Sequence, residues 1–209
     1  MTTGNRETNI RRVIDMEDRI SRCRRCPSLL QCVRKPSMGK GELDPEMIMV
    51  FESESAFVRD IDRIIKLRNL IKNEFKLQRL YHTFMVRCQP KACTIRQNFS
   101  DYGDTRFLDK EHNCLLNNQK CQGIPIRSNN EEILACLPFL IEELEILKPH
   151  YLILFGERVG NFVLKSFGYF EPVKLGQIYK NDGMQFMVAP VEEDFQADDC
   201  HKLLPLVVS

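Results

Sequence analysis

Four short apolar segments alternate with longer amphipathic ones, and this alternation constrains the fold more than any other feature of the sequence. The segments "EMIMVF", "RLYHTFMVRC", "HYLILFG" and "MQFMVAP" have the length and composition of buried strands. Strands that alternate with helices pair in parallel, because each crossover helix brings the chain back to the end of the sheet at which the previous strand began. We therefore predict an α/β fold with a mostly parallel sheet, in which ligands bind at the carboxyl ends of the strands.

Helical periodicity predicts the segments between the strands. Apolar residues recur at helical spacing in "NIRRVIDMEDRI", in "FVRDIDRIIKLRNLIKNEF" and in "ERVGNFVLKSF". A fourth helix, "NNEEILACLPFLIEELEILKP", begins with an asparagine and two glutamates, and Pro138 is expected to kink it. The segment "GQIYK" is expected to pair with "MQFMVAP" as a final pair of strands.

A polar, cysteine-containing stretch interrupts this alternation at about residues 89–128. It is too long for a connection in a compact domain, so we interpret it as an inserted subregion. A chain of 209 residues with 43% hydrophobic content can bury one sizeable core. The prediction is therefore a single domain over residues 1–209 that carries this insertion.

Hydropathy and charge limit the partners. No segment approaches the roughly 18 consecutive apolar residues of a membrane span, and the N-terminal residues lack the apolar run of a signal peptide. We therefore expect a cytoplasmic protein with no membrane partner. Residues 1–100 carry 20 lysines and arginines against 12 acidic residues, whereas residues 101–209 carry 10 against 17. A basic N-terminal half favours a polyanion such as DNA, although solvated helix surfaces explain the same charge.

Nine cysteines are many for a cytosolic chain, where thiols stay reduced, so ligation or catalysis is favoured over disulfides. Cys23 and Cys26 form a C-x-x-C pair in "CRRCP", just beyond the first predicted helix. Such a pair holds zinc or an iron–sulfur cluster, or acts as a redox pair. Cys88, at the end of the second predicted strand, and Cys136, in a later helix, bring the number of candidate thiolates to four.

These cysteine motifs resemble those of the iron–sulfur (family 4) uracil-DNA glycosylases. The stretches "CRRCP", "VRCQP" and "CLPFL" stand where that family has its C-x-x-C-P, its strand ending in Lys-Cys-Arg-Pro, and its helical Cys followed by Pro and an aromatic residue. "LILFGERVGNFVL" is similar to the strand, glycine and helix that follow. The resemblance covers about residues 20–90 and 130–190, and it implies a three-layer α/β/α uracil-DNA glycosylase-like fold.

By this resemblance Cys23, Cys26, Cys88 and Cys136 would ligate a 4Fe-4S cluster that ties the N-terminal segment to the core. Two alternatives remain open, namely zinc held by the same four residues, or cysteines that bind nothing.

The insertion adds a second set of candidate ligands, Cys93, His112, Cys114 and Cys121. Three thiols and an imidazole suit tetrahedral zinc, although their spacing is not that of a standard zinc finger.

The catalytic motifs of the family are degenerate here. Glu52 in "FESES" matches the first motif, but side chains replace its glycines, and Phe57 resembles the stacking phenylalanine. Phe84 stands where the family has the asparagine that pairs with uracil, and Ala189 where it has the histidine that supports the uracil anion. His82 shares the strand face of Phe84, and we expect it to be structural. These positions predict a vestigial pocket.

The sequence therefore predicts a cluster-containing protein that lacks glycosylase activity and serves as a nucleic-acid-binding or scaffold module. The acidic run "VEED" after Ala189 agrees, because carboxylates on a loop that approaches DNA repel phosphates. Two alternatives stay open. One is an active DNA glycosylase of base-excision repair with altered specificity; the other is a metal-stabilised module that docks a protein partner.

Overall fold

The structure, a computed structural model, describes residues 3–26, 36–88, 91–92, 124–125 and 127–208. In chain order the elements are α1 (Thr3–Ser21), β1 (Lys40–Gly41), β2 (Met47–Phe51), α2 (Ala56–Arg59), α3 (Ile61–Phe75), β3 (Leu80–Phe84), β4 (Lys91–Ala92), β5 (Ile124–Pro125), α4 (Asn130–Leu147), β6 (Tyr151–Phe155), α5 (Glu157–Ser166), β7 (Ile178–Asn181), β8 (Met184–Ala189) and α6 (Ala197–Val208).

Six strands form one mixed sheet in the order β1-β3-β2-β6-β8-β7. The four central strands, β3, β2, β6 and β8, are parallel, whereas β1 and β7 pair antiparallel at the two edges. The predicted α/β fold with a mostly parallel sheet is confirmed. The predicted pairing of the last two strands is also observed.

Helices cover both faces of the sheet, which gives the three layers α/β/α. One core lies between the sheet and α1, α4 and α5, and the other lies between the sheet and α2, α3 and α6. Along β2, Ile48 and Val50 face the first core, whereas Met49 and Phe51 face the second, because successive side chains point to opposite faces. A strand that is buried on both faces has a continuous run of apolar residues, and the sequence of β2 is such a run.

The helix predicted over residues 57–75 is two helices. The carboxylate of Asp60 accepts hydrogen bonds from the backbone N–H groups of Asp62 and Arg63, so it caps α3 and ends α2. The apolar periodicity continues across this break because both helices face the same core. Helix α4 continues through Pro138, and its first turn is fixed by a capping box between Asn129 and Glu132.

Of residues 89–128, which the sequence predicts to be an insertion, the structure describes 91–92, 124–125 and 127–128. Strands β4 and β5 pair antiparallel, with Lys91 opposite Pro125. The candidate zinc ligands of the insertion, Cys93, His112, Cys114 and Cys121, lie outside the described residues. Within the described part of the chain, no helix is both long and apolar enough to cross a membrane.

Candidate functional site

A cleft of about 840 Å³ opens where β2, β6 and β8 end. Glu52, Gly156 and Pro190 directly follow these strands and line the cleft. The carboxyl ends of parallel strands are where α/β sheets bind ligands, because the connecting loops separate there. This cleft is therefore the candidate binding site.

Glu52 is the one candidate pocket residue that lines this cleft, and two arginines hold it. Arg158 donates a 2.6 Å hydrogen bond from Nη1 to Oε1 of Glu52, and Arg127 donates from Nη2 to Oε2, also over 2.6 Å. Nη2 of Arg158 also donates to the carbonyl oxygen of Ser128 over 2.7 Å. Both carboxylate oxygens are therefore occupied by cations, which leaves Glu52 poorly suited to act as a general base.

Phenylalanines end three of the parallel strands, and their rings pack together beneath the cleft. The rings of Phe51 and Phe155 stack with their centroids 4.9 Å apart, and Phe84 lies 6.3 Å from Phe51. All three side chains are buried, and so is Ala189, whose Cα is paired with that of Phe155. The space beneath the strand ends is therefore filled with apolar groups.

Phe57 and His82 do not line the cleft. Phe57 is half-buried on α2, and the guanidinium of Arg63 lies 5.9 Å from its ring centroid. His82 is buried between β3 and α3, where its Nδ1 lies 3.4 Å from Nη1 of Arg68. Burial, together with the charges of Arg68 and Lys40, lowers the pKa of His82 to about 4, so its imidazole is neutral at physiological pH.

Carboxylates dominate the rim of the cleft. Of the described residues, five carboxylates line it against two arginines: Glu52, Glu157, Glu192, Glu193 and Asp194. Ser55 donates a 2.7 Å hydrogen bond from Oγ to Oε1 of Glu192, which joins the loop after β2 to the loop after β8. A rim of this charge repels a phosphate backbone.

The four candidate cluster ligands come from three chain segments, and Cys136 and Cys23 belong to or pack against the core between the sheet and α1, α4 and α5. Cys23 and Cys26 follow α1, Cys88 lies four residues beyond the end of β3, and Cys136 is on α4. Burial, and after it the neighbouring thiols of Cys136, Cys26 and Cys23, raise the pKa of the Cys88 thiol to about 12, so the four thiols interact electrostatically. Among the described residues, no group of three or more His, Cys, Asp or Glu side chains is arranged to hold a single metal ion.

Cys136 lies in positively charged surroundings. The backbone N–H of Arg87 donates to Sγ of Cys136 over 3.2 Å. Burial raises the pKa of this thiol, whereas that hydrogen bond and the guanidiniums of Arg87 and Arg25 lower it. Nε and Nη1 of Arg87 are buried and have no hydrogen-bond partner among the described groups. Four thiols beside a buried cation with unused donors fit a negatively charged group such as a thiolate-ligated iron–sulfur cluster.

The side chain of Arg87 belongs to a buried network that sequence reasoning missed. Its Nη2 donates to Oε2 of Glu143 over 2.5 Å, and Tyr81 and Thr83 donate to the same carboxylate. Glu143 lies on the apolar face of α4, three residues after Leu140 and four before Leu147. A charged residue at an apolar position of a helical period is the signal that could have revealed this pair.

The model of the family described as "Uracil DNA glycosylase superfamily" matches residues 52–201, which contain the cleft, the sheet from the end of β2 onward and two of the four cysteines. No curated protein matches the chain.

Proposed function

This chain belongs to the uracil DNA glycosylase superfamily, and from that premise we propose that it is an iron–sulfur member without glycosylase chemistry that acts as a nucleic-acid-binding module. The observation that carries this proposal is the packing of Phe51, Phe84 and Phe155 beneath the strand ends. A glycosylase needs a pocket there for a flipped base and polar groups to read it.

The polar contacts of the cleft support the loss of glycosylase chemistry. An apolar ring at Phe84 offers no hydrogen bond to a base edge, and Ala189 offers none to a developing anion. Glu52 is held by Arg127 and Arg158, which keeps its carboxylate from activating water. Each of the three groups that the resemblance assigns to catalysis is therefore absent or engaged elsewhere.

The direct test of this loss is release of uracil from DNA. We would incubate the purified protein with single- and double-stranded DNA containing uracil and measure free uracil, beside an active uracil-DNA glycosylase. No release above background is the expected result. Robust release would overturn the proposal and favour an active glycosylase with altered specificity.

The cluster is the second part of the proposal, and it rests on Cys23, Cys26, Cys88 and Cys136. When bound, a 4Fe-4S cluster would supply a covalent tie between the segment after α1, the segment after β3, and α4. Protein purified without oxygen is expected to contain iron and acid-labile sulfide and to show the broad visible absorbance of such clusters. Colourless protein that contains zinc instead would overturn this part.

A control variant distinguishes the loss of a cluster ligand from the loss of a buried thiol elsewhere in the protein. Cys136→Ser should abolish the iron and sulfide content, whereas Cys200→Ala should preserve it. Both cysteines are buried, but Cys200 lies on α6 in the other core, beside Leu203. Equal cluster content in the two variants would contradict the proposed ligand set.

The basic residues of α1 are the surface that we assign to nucleic acid. Arg11 and Arg12 are exposed on α1, whereas the cleft rim is acidic. We would measure binding of a fluorescent DNA by anisotropy over a range of salt concentrations. Affinity should fall steeply as salt rises, and the double variant Arg11→Glu, Arg12→Glu should bind more weakly than Lys66→Glu on α3. No binding at low salt would overturn this assignment and favour a protein-docking module.

A further inference from the structure

Arg25 joins the C-x-x-C turn to the helix that carries Cys136. Its guanidinium carbon lies 4.4 Å from the ring centroid of Phe139, and its Nη1 donates a long hydrogen bond of 3.4 Å to the carbonyl oxygen of Ala135. Phe139 is buried, so the aromatic ring is a fixed platform. Because Ala135 and Phe139 flank Cys136 on α4, both contacts hold the turn beside that cysteine.

The charge of Arg25 acts on the same site. Among the described residues, the guanidiniums of Arg87 and Arg25 both lower the pKa of the Cys136 thiol, so both interact with its charge. A cluster bound by four thiolates is anionic, and its negative charge increases when it accepts an electron. Nearby cations stabilise the reduced form more than the oxidised form, which raises the reduction potential.

We propose that Arg25 is a positioning residue for the cluster: it holds Cys23 and Cys26 against α4 by stacking on Phe139, and its charge raises the reduction potential of the bound cluster. This inference rests on the cluster proposed above.

Two substitutions at Arg25 separate the two effects, and Arg24 provides the control. Arg25→Ala removes the stacking and the charge, whereas Arg25→Lys keeps the charge but loses the planar guanidinium. Arg24→Ala removes an exposed arginine from the same turn without affecting the contacts with Phe139 and Ala135. For each protein we would measure iron and sulfide content, the reduction potential by redox titration, and the rate of cluster loss to a chelator.

Arg25→Ala should lower the reduction potential and accelerate cluster loss about two- to fivefold, the factor expected for one exposed cation–π contact. Arg25→Lys should accelerate cluster loss but keep a potential near that of the wild type, and Arg24→Ala should stay close to the wild type in cluster loss. If Arg25→Ala matches Arg24→Ala in both potential and rate while the wild type contains a cluster, the role of Arg25 is overturned and the cluster stands. Wild-type protein without iron and sulfide overturns both.

The contact itself can be measured in cluster-free protein. Hydrogen exchange at the backbone amides of residues 22–26 should be faster in Arg25→Ala than in Arg24→Ala, because the turn loses its attachment to α4. Equal exchange in the two variants would contradict the positioning role independently of any cluster.

Discussion

Arg158 on α5 and Glu52 after β2 form an ion pair of 2.6 Å, although 106 residues separate them in the chain. The same guanidinium donates a hydrogen bond to the backbone carbonyl of Ser128, at the end of the predicted insertion. The acidic residue that matches a catalytic motif by resemblance thus connects three chain segments at the mouth of the cleft. Its contacts are those of a structural residue.

Removing this carboxylate should weaken the fold. Glu52→Gln is expected to lower the free energy of unfolding by about 1–3 kcal/mol, because Arg158 and Arg127 lose charge-assisted hydrogen bonds. Denaturant unfolding measures this change. Glu193→Gln, on the exposed rim of the same cleft, should stay within about 0.5 kcal/mol of the wild type. A Glu52→Gln protein as stable as the control would contradict the structural role.

Replacing Phe84 with asparagine, the residue that the family has at this position, should destabilise the protein without producing uracil-DNA glycosylase activity. Phe84→Asn places an amide in the apolar contact with Phe51 and removes most of a buried ring, at a cost of about 3–5 kcal/mol. Phe84→Leu should cost less, since the site stays apolar. Thermal unfolding and uracil release are the measurements. Uracil release by a folded Phe84→Asn protein would mean that this one residue closes the pocket.

Loss of the buried ion pair between Arg87 and Glu143 should lower the free energy of unfolding far more than loss of the exposed ion pair between Arg19 and Glu142. Arg87→Met leaves the carboxylate of Glu143 buried beside Tyr81 and Thr83 without its cation, which is expected to destabilise the protein by about 3–5 kcal/mol. The control is Arg19→Met, because Arg19 pairs with the adjacent Glu142 at the surface, where the expected loss is below about 1 kcal/mol.

A double variant tests the coupling of this buried pair. Arg87→Met, Glu143→Leu removes both charges, and it should be less destabilised than the sum of the two single variants. Unfolding free energies of the four proteins in the cycle provide the measurement. Strict additivity would contradict a direct interaction between these residues.

His82 should make the protein less stable in mild acid. Burial is the largest cause of its pKa near 4, with the charges of Arg68 and Lys40 adding to it, whereas the unfolded chain has the ordinary value of 6.5. The unfolded state therefore binds more protons between these two pH values, and stability falls as the pH drops through that window. The expected contribution is about 2 kcal/mol between about pH 7 and pH 5.

Substitution of His82 isolates this contribution. In His82→Gln, the loss of stability between about pH 7 and pH 5 should shrink by about 2 kcal/mol relative to the wild type, because no proton is gained there on unfolding. His201→Gln, at an exposed position on α6 beside Glu74, is the control. Denaturant unfolding at a series of pH values compares the three proteins. An unchanged pH dependence in His82→Gln would show that this imidazole is not buried in its neutral form.

The sequence predicted the elements whose signals are local. The strand from Met47 to Phe51 is apolar throughout because helices cover both faces of the sheet, and this burial is visible in composition alone. The start of α4 could also be predicted from the sequence, because Asn129 and Glu132 form a capping box within four consecutive residues. The helix break at Asp60 was missed because the apolar period runs on through the cap.

The alternation of strands and helices thus predicted an α/β fold with a mostly parallel sheet, because each element carries its own periodicity. The three-layer arrangement was predicted only by the family resemblance. The contacts that define the candidate site were decided only by the tertiary structure. Arg158 meets Glu52, Arg87 meets Glu143, and Arg25 meets Phe139 across long stretches of chain. Periodicity predicts which face of an element is buried. A contact between two distant side chains also depends on the relative position of their elements, which is set by the packing of the whole domain.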